Sequence, residues 1–235
     1  VHDTAPTPPR FAVRDGYAVY RGPVTDGPIH RHGAFQIAIA IEGEVAMAGP
    51  TGIRYRAPTL LVAPMAPHRI EASPDLLTYY VDPQCAFADT LRTRYDSGIN
   101  PAPELGALRE QDIAAVGATA SSQLDPRLIS ALDLLRNRSA AIPDIAAAVD
   151  LSPQRLRALA RGQLGMPLAR WRVWSRLRRA AEAMRDGASV ADAAVTAGFS
   201  DQAHLSRQMR DMMGLTPAAV APLLANLGAQ PFTAT

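Results

Sequence analysis

The segment IPDIAAAVDLSPQRLRALARGQLG, from Ile142 to Gly165, returns further along the chain as VADAAVTAGFSDQAHLSRQMRDMMG, from Val190 to Gly214. Asp144 aligns with Asp192, Ala146 with Ala194 and Leu151 with Phe199, all 48 positions apart; Leu156 aligns with Leu205, Arg161 with Arg210 and Gly165 with Gly214, all 49 apart. The second copy therefore carries one extra residue in its turn. Between the copies, Val173, Leu177, Ala180 and Met184 recur at helical spacing. The pattern predicts two like two-helix modules joined by a helix over about Pro167 to Arg185.

Each module has the grammar of a helix-turn-helix. A small residue, Ala146 or Ala194, lets the first helix approach a neighbour, and a tight turn follows. Gly198 takes a left-handed turn conformation without steric cost, and Asp150 stands in its place in the first copy. Ser152, followed by Pro153, and Asp201 are natural N-caps, while Gly165 and Gly214 end the second helices. On the last helix Leu205, Met209 and Met212 share one face, leaving Ala203, Ser206, Arg207 and Arg210 on the other. The first copy repeats the split, with Leu156, Leu159 and Ala160 inward and Gln154, Arg157, Ala158 and Arg161 outward. Arg, Gln and Ser are the side chains that read base edges or grip phosphates.

Charge supports that reading. Residues 1–125 carry 10 Arg against 14 acids, a net of −4, and residues 126–235 carry 14 Arg against 8 acids, a net of +6. No lysine occurs, so every basic contact is a planar guanidinium fork suited to phosphate. The segment RLRRAAEAMRDGASVADAAVTAGFSDQAHLSRQMRDMMGLTPAAV resembles the DNA-binding signature of AraC-type transcription regulators: an RL..A pair on the linker helix, GFSDQAHLSR in the second recognition helix, and a closing G.TP. The resemblance is strong over about Ile142 to Val220. It implies a rigid pair of helix-turn-helix units whose recognition helices enter successive major grooves, about 34 Å apart, on one face of double-stranded DNA. By position it implies base readers at Gln154, Arg157, Gln202, Ala203, Ser206 and Arg207, and phosphate contacts at Arg161 and Arg210. The chain departs from the family at Ala158, where many members have a longer polar residue, and at Met209, a core swap for the usual aromatic. Trp171 and Trp174 read as core between the two units.

The amino-terminal half has a different texture. FQIAIAI, GEVAMAG, TLLVAP and LLTYYV are short apolar runs cut by Gly and Pro, the signature of strands, and Phe35 to Ile41 alternates large with small side chains. His30 and His32 in HRHGAFQ, then Gln36, then His68 in APMAPHRI follow an order that resembles a cupin barrel. Metal-binding cupins place a glutamate where Gln36 stands. An amide is a poorer ligand for a hard ion, although three imidazoles at His30, His32 and His68 still suit zinc or nickel. The other reading has His30, His32, Gln36 and His68 lining an effector pocket or bonded structurally. From Asp82 on, AFADTLRTRY and ELGALREQDIAAVGATA read as helices around the breaker SGINPAP. They form either a dimer contact or a layer packed on the barrel.

The expected chain is mainly α with a β domain: a cupin-like β-barrel sensor over 1–82, a helical connector over 83–125, and an all-α double helix-turn-helix domain over 126–235. Its function is sequence-specific DNA binding in transcription regulation, with a small-molecule effector; it is not an enzyme, and its cofactor is none or a divalent metal. The alternative is a metal-dependent cupin enzyme with a helical appendage. Further expected partners are a homodimer mate and, if the protein is an activator, RNA polymerase. Lone Cys85 reads as a small buried hydrophobe. No run nears the roughly 20 apolar residues of a membrane span, and VHDTAPTPPRF lacks a signal-peptide pattern. A cytoplasmic location is expected.

Overall fold

The computed structural model describes residues 8–95, 97–137, 140–224 and 232. Most of the amino-terminal VHDTAPTPPRF segment lies outside them. Eight strands come first: Arg10–Arg14 (β1), Tyr17–Val24 (β2), Phe35–Ala40 (β3), Val45–Ala48 (β4), Arg54–Ala57 (β5), Thr59–Val62 (β6), Arg69–Ile70 (β7) and Ser73–Val81 (β8). Phe87–Arg94 (α1), Ile99–Pro101 (β9) and Glu110–Gly117 (α2) follow. The remainder is helical: Pro126–Asn137 (α3), Ile142–Ala148 (α4), Pro153–Leu164 (α5), Leu168–Arg185 (α6), Val190–Thr196 (α7), Gln202–Met213 (α8) and Pro217–Leu224 (α9).

The strands form a six-stranded sheet in the order β1-β2-β8-β3-β6-β9 and a three-stranded sheet in the order β5-β4-β7. The barrel expected from the sequence is therefore not closed. Among the described residues β1 and β9 end one sheet, β5 and β7 end the other, and no ladder joins the two. Closure needs every strand paired on both sides, and here the β1 edge meets α6 and α9 instead of another strand. Two elements also depart from expectation. RFAVR and YAVYRGPV, not foreseen as strands, pair as a hairpin around Asp15-Gly16. INP, inside the expected breaker, is an edge strand on β6, so the connector is not wholly helical; an edge is where a strand tolerates proline.

The alternation in β3 sorts the core. Phe35, Ile37 and Ile39 join Tyr17, Val19, Leu77 and Tyr79 in a cluster covered by Ala88 and Leu91 of α1 and Ile113 of α2. On the opposite parity, Ala38 meets Val45 and Met47 of the small sheet. Farther along the same sheet, Phe11, Val13 and Ala18 of β1 and β2 pack instead on Trp174, Leu177, Met209 and Val220 of the helical half. One continuous apolar cluster thus spans the two halves. Cys85 is buried, as expected, and burial pushes its thiol up to about 11. No helix among the described residues is long and apolar enough to cross a membrane.

Candidate DNA interface and the seam behind it

In both modules the local sequence sets the turn. Asp150 has φ 54° and Gly198 φ 86°, so the two copies use the same left-handed corner despite different residues. The Ser152 hydroxyl accepts from the Arg155 amide at 3.1 Å, and the Asp201 carboxylate accepts from the His204 amide at 2.7 Å. These bonds satisfy amides that the first turn of a helix leaves open. Gly165 and Gly214 close α5 and α8 with φ 72° and 67°.

Leu156, Leu159 and Ala160 of α5 face a core shared with Leu128, Leu132 and Trp171, while Leu205, Met209 and Met212 of α8 face the seam cluster. Met209 does occupy a core position. Opposite these faces Gln154, Arg157, Ala158, Arg161, Gln202, Ala203, Arg207 and Arg210 are exposed and Ser206 is half-buried. None of Arg157, Arg161, Arg207 and Arg210 takes part in a salt bridge among the described residues.

Helix α6 carries both modules. Leu168 and Trp171 enter the first core, and Trp174, Leu177, Ala180 and Met184 enter the second. Its 18 residues span about 27 Å. Arg179 ties the modules together, donating to the Arg136 carbonyl in α3 at 3.1 Å and the Thr196 carbonyl in α7 at 2.6 Å. Both carbonyls lie at helix C-termini, where a cation also meets the negative end of the dipole. Sequence reasoning missed this arginine, since Arg179 is one of six on α6 and nothing local distinguishes it.

The tryptophans do more than separate the modules. Trp174 Nε1–H donates to Asp82 Oδ1 at 2.8 Å, and Trp171 Nε1–H donates to Gln84 Oε1 at 3.1 Å. Arg178 pairs with Asp82 Oδ2 at 3.2 Å and donates to the Arg14 carbonyl. Asp82 is 2% exposed, so its carboxylate is held away from bulk water. Beside it lies a cavity of about 530 Å³ whose walls include Asp82, Gln84, Trp171, Trp174, Arg178 and Arg179.

The structure brings His30, His32, Gln36 and His68 together, although not on one strand. β3 begins at Phe35, and the two earlier histidines stand on the segment before it. His30 and His68 face each other across a backbone bridge with N–O distances of 2.9 and 3.0 Å. Nδ1 of each ring meets a nearby carbonyl: His30 with Pro28 at 3.1 Å, His32 with Ala34 at 3.0 Å, His68 with Ala66 at 2.9 Å. Nε2 of His32 and of His68 lie 2.9 and 2.8 Å from Gln36 Oε1. Burial drives His32 down to about 4 and His68 well below the ordinary imidazole range; it also lowers half-buried His30. None of these four side chains is among those lining the 530 Å³ cavity.

A protein family described as a helix-turn-helix domain matches residues 145–221. The whole chain is similar in fold to ToxT from Vibrio cholerae O395, at 10% identity and a TM-score of 0.60 over 91% of this chain and 100% of that one. It is equally similar to unsaturated fatty acid-bound ToxT from Vibrio cholerae strain SCE256, at 11% identity and a TM-score of 0.60 over 93% and 100%. A regulator with an AraC-type DNA-binding domain from Chromobacterium violaceum is 26% identical over 44% of this chain and 96% of that one, with a TM-score of 0.42. Comparison with curated protein sequences found no match.

Proposed function

We propose, from the premise that residues 145–221 are an AraC-type helix-turn-helix domain, that this DNA-binding transcription regulator reads two successive major grooves and answers to an effector held at the seam between its halves. The observation that carries the reading is the matched pair: two capped helices, α5 and α8, each with an unpaired basic outer face, fixed to one helix. Gln154, Arg157, Gln202, Ala203, Ser206 and Arg207 contact bases, Ala203 through a thymine methyl, and Arg161 and Arg210 hold phosphates. Family and fold together favour a regulator over a cupin enzyme.

The 530 Å³ cavity is the proposed effector site, because its size suits a small organic molecule. Its walls come from the amino-terminal half, at Asp15, Asp82, Gln84 and Gly117 to Ala120, and from α3 and α6, so a ligand that prefers one seating of α6 shifts the modules with it. ToxT has been solved with an unsaturated fatty acid bound, which makes organic acids the first class to try; Arg136, Arg178 and Arg179 line this cavity together with Asp15, Asp82, Asp133 and Glu182. Exposed faces of α1 and α2 are the proposed dimer contact, and RNA polymerase is the further partner of an activator. The test is to select duplexes from a random pool with the full chain. A defined sequence, bound more weakly when Arg207 is replaced by Ala, supports the reading; recovery of unselected DNA refutes it.

A further inference from the structure

The cluster of His30, His32, His68 and Gln36 lies outside the effector cavity and has no part in DNA contact, yet it gathers three imidazoles around one amide. A neutral imidazole has one N–H. Each Nδ1 faces a backbone carbonyl, so the N–H of each ring is used there and each Nε2 carries a lone pair. Two of those lone pairs point at Gln36 Oε1, which has no hydrogen either. Turning the Gln36 amide over supplies one hydrogen to each of these two lone pairs and none to His30. One nitrogen from each ring lies within 4.8 Å of the others. His32 and His68 are 1% and 0% exposed, so anything held at their Nε2 atoms is kept from bulk water.

We infer that His30, His32 and His68, with the Gln36 amide oxygen as fourth donor, form a site for a divalent transition metal of the zinc, cobalt and nickel class, and that its occupancy is felt by the second helix-turn-helix. Nδ1–H bonded to a carbonyl with Nε2 turned inward is the outer-shell arrangement that orients metal-bound imidazoles. Three nitrogens and one neutral oxygen favour such borderline ions over magnesium or calcium, which take oxygen donors.

The coupling rests on the proposed DNA reading and on two contacts. The His30 ring lies against Gly214, the left-handed residue that closes α8; a Cβ built there falls 3.2 Å from His30 Nδ1. Gly33, next to His32, lies under Trp174, where a Cβ falls 2.9 Å from the Trp174 Cβ. Tetrahedral coordination with metal–nitrogen bonds of about 2.05 Å sets the nitrogens roughly 3.3 Å apart. Drawing in a set spread within 4.8 Å moves the half-buried His30, the least enclosed of the three, most, and Gly214 with it.

The full chain, stripped with chelator and free of DNA, is titrated with Co²⁺. One equivalent should bring up tetrahedral visible bands that Zn²⁺ displaces and Mg²⁺ does not. His30→Ala, at the half-buried position where folding is least at risk, should weaken uptake about tenfold or more, and Gln36→Glu, which adds a charged donor, should tighten it. No uptake by the unaltered chain, or uptake unchanged in both variants, overturns the site. DNA affinity is then read with and without Zn²⁺ on a selected duplex. A change of about threefold or more, abolished in His30→Ala, is expected; equal affinity in the two states overturns the coupling, whereas absence of any DNA binding would tell against the regulator reading instead.

Discussion

Trp174→Phe probes the clasp between the halves with little change in shape. It removes the indole N–H that Asp82 accepts at 2.8 Å and leaves an aromatic ring in the seam cluster. A buried hydrogen bond to a charged acceptor contributes about 1.5–3 kcal/mol, and the missing part of the ring adds about 1 kcal/mol of lost apolar burial. The expected loss is therefore about 3 kcal/mol. Asp82→Asn keeps the shape but strands Arg178, whose side chain is 13% exposed; breaking a buried pair costs about 3–5 kcal/mol. An amide oxygen still accepts from Trp174, at about half the strength of a carboxylate. The double variant should then show a coupling energy of about 1 kcal/mol in urea unfolding followed by circular dichroism. Additivity within about 0.3 kcal/mol, the behaviour of sites without contact, would refute the clasp.

Arg207→Ala should cost about 1–3 kcal/mol on the selected site and relax preference at one base position; equal weakening on all sequences would reduce it to a phosphate contact. Arg161→Ala should weaken every duplex alike and flatten the dependence of binding on salt, measured by anisotropy at several ionic strengths. Arg179→Met, which removes the tie between α3 and α7, should leave affinity for an isolated half-site unchanged while reducing discrimination between half-site spacings. Gly198→Ala forces a side chain to φ 86° and should lower stability by more than about 1 kcal/mol in thermal unfolding.

What was legible in the sequence is what is decided locally. The turns at Asp150 and Gly198, the caps at Ser152 and Asp201 and the inward Leu205 and Met209 each follow from residues a few positions apart, and the repeat doubled every signal. The hairpin around Asp15-Gly16 had a local signal too, Asp-Gly between RFAVR and YAVYRG, but proline-rich flanks obscured it. β9 was hidden because its pairing partner is remote: Asn100 faces Leu61, and only tertiary structure makes SGINP extended. The histidines were visible as a set with Gln36. Their position against Gly214 and Trp174 was not, because it depends on how the halves pack. The clasp is the extreme case, joining Trp174 to a carboxylate 92 residues away.

Two-groove reading is the central claim, and half-site spacing tests it most directly. A selected duplex should hold two conserved elements about one turn, 10–10.5 base pairs, apart. Inserting five base pairs between them turns the second element to the far side of the helix, so affinity should fall to that of a single half-site, while the duplex without the insert keeps full affinity. Equal affinity for both duplexes would mean that α5 and α8 do not read DNA together.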